Sequence, residues 1–345
     1  MSVIGSNVLA GASGAGGGGG PYVGNLAVAH ISSPYVTVYE WNNGFGSKYS
    51  DPSTAIPDIG RSPAFSPDGN NLAIAHSDPP YVSVYSWSSS GFGSKYSNPS
   101  TLPANHGRAV VWSPDGNDIA IAHQNSPYIA AYPWNSGFGT KYSNPSTAIP
   151  GTGRGVAFSP DGNDIAVAHF TSPYITAYPW SSGFGTKYSD PSTLPANVSL
   201  TVAWSPDGYD IAVGHSGPPY VTAYAWSSGF GSKYSDPSTL PASTGNSVTW
   251  SPDGNDIALA HSNSPFVAAY PWSSGFGSKY SDPSTLPAST SYGIDFSPDG
   301  NHIAIAHVNS PYVTAYEWNS GFGAKHANPS TLPNGNSFGA AFSPS

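Results

Sequence analysis

All three arginines of this 345-residue chain, Arg61, Arg108 and Arg154, stand four residues before an aromatic side chain, Phe65, Trp112 and Phe158 respectively. A guanidinium is a rigid fork of donors that matches a carboxylate, phosphate or sulfate. The shared position suggests one anion-binding sector built from three copies of a repeated unit, with His106 beside it. The equivalent positions in the other units hold Leu200, Asn246, Tyr292 and Phe338, so the opposite sector offers aromatic rings suited to a sugar face. A local ion pair, such as Arg61 with Asp58, is the alternative use of the same charge.

The other reactive side chains read as scaffold. His30, His76, His123, His169, His215, His261 and His307 each end an apolar run, at spacings of 46 or 47 residues. A ring of histidines invites a metal, but equivalent positions in facing sheets lie ~10 Å apart, against Zn–N bonds of ~2.0–2.1 Å. Each is therefore expected to hydrogen-bond within its own unit, and no metal is expected. Seven lysines, from Lys48 to Lys325, recur in register and are expected to guard an exposed strand edge. Outside recurring positions the acids are Asp58, Asp78 and Asp295, with Glu40 and Glu317 forming a matched pair. No nucleophile elbow, Ser-His-Asp string, phosphate loop, calcium loop or zinc signature is present, so neither an enzyme nor a cofactor is implied.

Composition narrows the partners. Ten Lys and Arg face nineteen Asp and Glu, a net charge of −9 without any basic run, which argues against nucleic acid. No apolar stretch reaches the ~18–20 residues of a membrane helix, and the first twenty residues lack the basic start of a signal peptide, so neither membrane insertion nor secretion is expected. With no cysteine there is no disulfide or thiolate chemistry.

What must position these residues is a repeat. Forty glycines and 35 prolines recur at fixed places, and each unit of about 46 residues carries four short runs of β-forming residues separated by turn residues. In the third unit the strands are a (Val110 to Ser113), b (Asp118 to His123), c (Tyr128 to Trp134) and d (Phe138 to Tyr142). Strands a and b are joined by a Ser-Pro-Asp-Gly turn, in which Pro presets φ and Gly takes the left-handed position; six complete copies occur, beginning at Ser66, Ser113, Ser159, Ser205, Ser251 and Ser297. Seven such units predict an all-β, seven-bladed propeller of four-stranded antiparallel blades spanning residues 21–345, preceded by a glycine-rich arm at residues 1–20. The first unit lacks its own strand a, and the chain ends on an isolated one, Phe338 to Pro344. The C-terminal strand should therefore complete blade one.

These residues resemble the WD40-like propellers, in particular the branch with F/W-S-P-D-G-N-x-I-A repeats, over residues 21–345. The resemblance implies the ring but no particular function, and the recurrent Trp is followed here by Ser or Asn rather than Asp. The opening segment Ile4 to Gly20 resembles the start of tail-fibre and other virion proteins of marine tailed phages. That resemblance implies a virion component, made in the host cytoplasm and docked on other virion proteins through an apolar hook of Val3, Ile4, Val8 and Leu9.

Comparison of the seven units places nearly all variation in the b–c tips and the d–a loops, which antiparallel blades bring to one face of the disc. The tips contribute Asp78, Asn125 and Phe170 to the candidate ligand face. The expected function is a non-enzymatic binding module whose variable face meets a host surface glycan, a receptor or a virion neighbour. The alternatives are a free interaction scaffold, and a polysaccharide lyase or hydrolase working at the same mouth.

Overall fold

The computed structural model describes residues 22–345, which form a ring of seven antiparallel sheets without helices. The expected arm, with Val3, Ile4, Val8 and Leu9, lies outside the described residues. Strands a of successive blades touch one another around the axis. In blade two, strands a to d are Gly60–Phe65, Asn71–His76, Val82–Ser88 and Gly91–Lys95, paired in that order. The expected closure is present: Ser337–Phe342 pairs with Val23–His30, Leu26 opposite Phe342 and Val28 opposite Ala340. Ser343 N–H donates to the Asn25 carbonyl at 2.9 Å, and Tyr22 Oη–H to the Ser343 carbonyl at 2.6 Å. A buried carboxylate clasps the same seam from blade seven, where Asp295 Oδ2 accepts the Phe342 N–H at 2.8 Å. Burial raises that carboxyl well above its usual range.

Strand d reveals how one residue type edits a blade. It is a named strand in blades one, two, five and seven, and contracts to a single Trp–Phe bridge in blades three, four and six. Those three blades carry Pro133, Pro179 and Pro271 in strand c, where the others have Glu40, Ser86, Ala225 and Glu317. Proline has no N–H to give the ladder, so the pairing shortens where it stands.

The core lies between blades. Val110, Ile119 and Ile121 of blade three pack on Ala64, Val82 and Val84 of blade two. A polar latch crosses the next gap, between blades three and four, near the Ser-Pro-Asp-Gly face. Trp180 Nε1–H donates to Asp118 Oδ2 of the preceding blade at 2.9 Å, while Tyr142 Oη–H donates to Asp118 Oδ1 at 2.7 Å. Asp164, Asp210 and Asp256 repeat the arrangement with Trp226, Trp272 and Trp318. A Trp–Asp bond thus exists here, but its partners are 62 residues apart and in different blades.

Five of the seven recurring histidines hydrogen-bond within their blades through Nε2, and two do not. His30 Nε2 pairs with Thr37 Oγ1 at 2.9 Å and His76 with Ser83 Oγ at 2.9 Å, and His169, His215 and His307 find the equivalent threonine. In blades three and six that position is Ala130 or Ala268, and the Nε2 atoms of His123 and His261 are buried without a partner. Ala130→Thr is therefore expected to stabilise the protein by about 1 kcal/mol, the usual net worth of such a bond. The denaturant midpoint measures it, and an unchanged or lowered midpoint contradicts this assignment.

Candidate functional site

Every a–b ladder slips by one residue at the start of strand a, and the residue left over is the one singled out by the repeat comparison. Gly107 pairs with His123 and Ala109 with Ala122, so Arg108 has no opposite number. The same bulge isolates Arg61, Arg154, Leu200, Asn246, Tyr292 and Phe338. A bulge re-aims its extra side chain and is favoured next to functional sites. Here seven bulges aim seven side chains at the axis. At Gly107 a Cβ would run into the Tyr81 carbonyl oxygen of the preceding blade, whereas three blades make the same bulge with Ser199, Ser291 and Ser337 in this place.

The three guanidiniums are held by different neighbours. Arg61 Nε–H donates to Ser77 Oγ at 3.0 Å, and its guanidinium lies 5.0 Å from the centre of the Phe338 ring. Arg108 Nη2–H donates to Gln124 Oε1. Arg154 stacks 5.5 Å from the ring centre of Phe170, which is half exposed at the b–c tip. None is in an ion pair: those among the described residues join Lys48, Lys187, Lys233 and Lys279 to nearby aspartates at the outer edge. Asp58 acts on Arg61 through space but forms no bridge with it. Nε of Arg108, and Nε and Nη1 of Arg154, are buried with no hydrogen-bond partner. Burial, with the charges of Arg154 and Arg61, pushes the Arg108 guanidinium down to about 9, and burial lowers the other two as well. The cluster is a concentration of half-buried like charge with no carboxylate paired to it among the described residues.

The opposite sector packs on itself. Leu200, Tyr292 and Phe338 form one buried cluster with Ile59, Val198 and Val308 against it, joining blades five, seven and one. The rings of Tyr292 and Phe338 lie 5.5 Å apart and are only 4% and 7% exposed, so they make an apolar floor more than an open stacking surface. Asn246 Nδ2–H donates to the Ser291 carbonyl at 2.8 Å, tying blades six and seven.

His106 stands in the d–a loop, one residue before strand a of blade three, with its ring centre 6.4 Å from that of Tyr81. It is half-buried, and burial together with the charges of Arg108 and Arg61 lowers its pKa, Asp78 acting in the other direction. The imidazole beside the arginines is thus neutral at pH 7. Asp78 and Asn125 are exposed, and their carbonyls close the b–c tip by accepting the N–H of Tyr81 and Tyr128. Of the tip residues that the sequence points to, Asp78 and Asn125 stand second in their tips and Phe170 stands first, stacked on Arg154. The first tip residues, Ser77 and Gln124, are the ones that hold guanidiniums, each sixteen positions after its arginine. That recurring offset was the available signal.

No family model matches the sequence, and no curated protein matches it. Solved structures do match in fold. A candidate 6-phosphogluconolactonase from Bacteroides uniformis superimposes with a TM-score of 0.71 at 15% identity, over 93% of this chain and 99% of that one. The periplasmic gluconolactonase of Pseudomonas aeruginosa gives 0.67 at 16% identity, over 93% and 99%. A protein from Lactobacillus plantarum gives 0.72 at 12%, with the same coverage. These matches bear out the seven-bladed ring and lend nothing to the WD40-like or tail-fibre kinship. They also correct two expectations, that of a non-enzymatic virion module and that of no enzyme, because the folds so matched include proteins named for lactone hydrolysis. The expectation of no enzyme rested on missing catalytic strings, and that of a virion component on the resemblance of Ile4 to Gly20. A propeller assembles its centre from residues some 46 positions apart, which no local string records.

Proposed function

We propose that this protein is a hydrolase that opens the cyclic ester of an anionic sugar acid at the arginine-lined end of its channel. The observation that carries the reading is the cluster of Arg61, Arg108 and Arg154, half-buried, free of carboxylate partners and with unused donors on two of the three. A buried cation without a partner is costly to a fold. A ligand phosphate or carboxylate would supply the missing charge and accept bidentate bonds. The names of proteins sharing the fold support lactone hydrolysis in particular.

The chemistry asks for a base, an oxyanion partner and a place for the substrate's charge. His106, neutral at working pH, takes a proton from water as that water's oxygen bonds to the lactone carbonyl carbon. The carbonyl oxygen becomes an oxyanion, which a guanidinium stabilises in a site screened from bulk water. Collapse of the intermediate breaks the bond to the ring oxygen, and that oxygen recovers the proton from the imidazolium, giving the open hydroxy acid. The remaining guanidiniums hold the substrate's anionic group, and the floor of Leu200, Tyr292 and Phe338 keeps the site dry.

Proton release from 6-phosphogluconolactone, corrected for spontaneous opening, tests the reading. Catalysed opening that inorganic phosphate competes against is the expected result. A rate equal to the spontaneous one overturns it.

A further inference from the structure

We propose that His302 and His326 form a two-imidazole site for a divalent first-row transition metal on blade seven, beside the junction that closes the ring. At four other junctions the two positions hold an aspartate and a tyrosine, as Asp118 and Tyr142 do, joined by an O–H···O bond. In blade seven both are replaced, and both by histidine.

His302 Nδ1 and His326 Nε2 lie 3.1 Å apart, with ring centres 5.0 Å from each other. Two nitrogens bound at ~2.0–2.1 Å to one tetrahedral or square-planar ion are separated by about 2.9–3.4 Å. The pair is therefore already at chelating distance. Glu317 is the cross-strand partner of His302, and its charge acts on both rings in the sense that favours a nearby cation. His302 is buried and His326 half-buried, which leaves one side open to water. Among the described residues no three His, Asp or Glu side chains converge on one point. The protein thus supplies two ligands and water the rest, an open site suited to Cu(II), Ni(II) or Zn(II), with Cu(II) held most tightly.

The location gives the site a task. Trp41 of blade one packs edge-on to both imidazoles, at 5.4 and 5.3 Å. Its indole Nε1–H, which in four other blades donates to an aspartate of the preceding blade, is buried here without a partner. A metal joining strand b of blade seven to the segment after its strand d would fix the two rings on which Trp41 of blade one packs, and would stabilise the fold in proportion to its occupancy.

The test is titration of the full chain with Cu(II) and, separately, Ni(II). Expected are uptake of one equivalent with a Kd tighter than about 1 mM, a Cu(II) resonance spectrum showing two imidazole nitrogens, and a higher melting temperature with either metal. The paired variant His302→Asp/His326→Tyr installs the couple found at the other junctions, so it is expected to fold while losing that equivalent. No uptake by the wild-type chain, or unchanged uptake by the paired variant, overturns the site and leaves the two rings as a hydrogen bond only.

Discussion

Between pH 6.5 and about 4 the protein is expected to lose most of its stability while remaining folded and stable at pH 7 and above. Seven histidines are fully buried, and burial pushes each imidazole down to about 4. In the unfolded chain a histidine takes up its proton near 6.5. Above that value both states are neutral and pH has no leverage; below it the unfolded state binds protons that the native state refuses, so stability falls until the native value is passed. Seven sites titrating together give a slope of several kcal/mol per pH unit near pH 5, against a total stability of about 5–15 kcal/mol for an ordinary domain. Asp295 opposes the trend, because a carboxyl raised by burial favours the native state as pH falls, but it is one group against seven. Denaturant midpoints at pH 7, 6 and 5 measure the effect, and a flat profile contradicts the burial of neutral imidazoles. Replacing His123 by Asn should make the slope shallower.

Arg108→Met is expected to strengthen the fold and weaken the proposed lactone opening. The guanidinium is squeezed by Arg154 and Arg61 and leaves Nε without a partner. A methionine of similar volume relieves that repulsion, a change that stabilises by about 1–2 kcal/mol when a buried charge gives way to an apolar side chain. Under the proposed function the same change removes a charge-assisted bond to the substrate, worth about 1.5–3 kcal/mol, so kcat/KM should fall about 10- to 100-fold. The rise in KM should dominate, and the fall should shrink at high salt as screening weakens the remaining pair. A less stable variant with unchanged KM would show that the arginines serve the scaffold instead.

The ring was legible because every signal for it is periodic: the histidines, the Ser-Pro-Asp-Gly turns, and a strand a missing at one terminus and spare at the other. The position of the arginines was legible for the same reason. The bulge that aims them was not, since its residue is Arg, Leu, Asn, Tyr or Phe and carries no common type. Nor was the packing of Arg61 on Phe338, which joins the two sectors that the sequence set apart. The bond from Trp180 to Asp118 was hidden by its crossing between blades, and the shortened strand d by the fact that Pro133, Pro179 and Pro271 cost a single N–H each. Chemistry was the least legible level. Absence of a motif says little on a fold that brings together residues about 46 positions apart.

The most direct test is the ratio of kcat/KM for 6-phosphogluconolactone to that for gluconolactone, in the wild-type chain and in Arg61→Met/Arg108→Met/Arg154→Met. An anion site that drives catalysis predicts a wild-type preference for the phosphorylated ester and a ratio near one in the triple variant, with His106 and the fold retained. An equal ratio in both proteins, or no turnover of either ester, would contradict it.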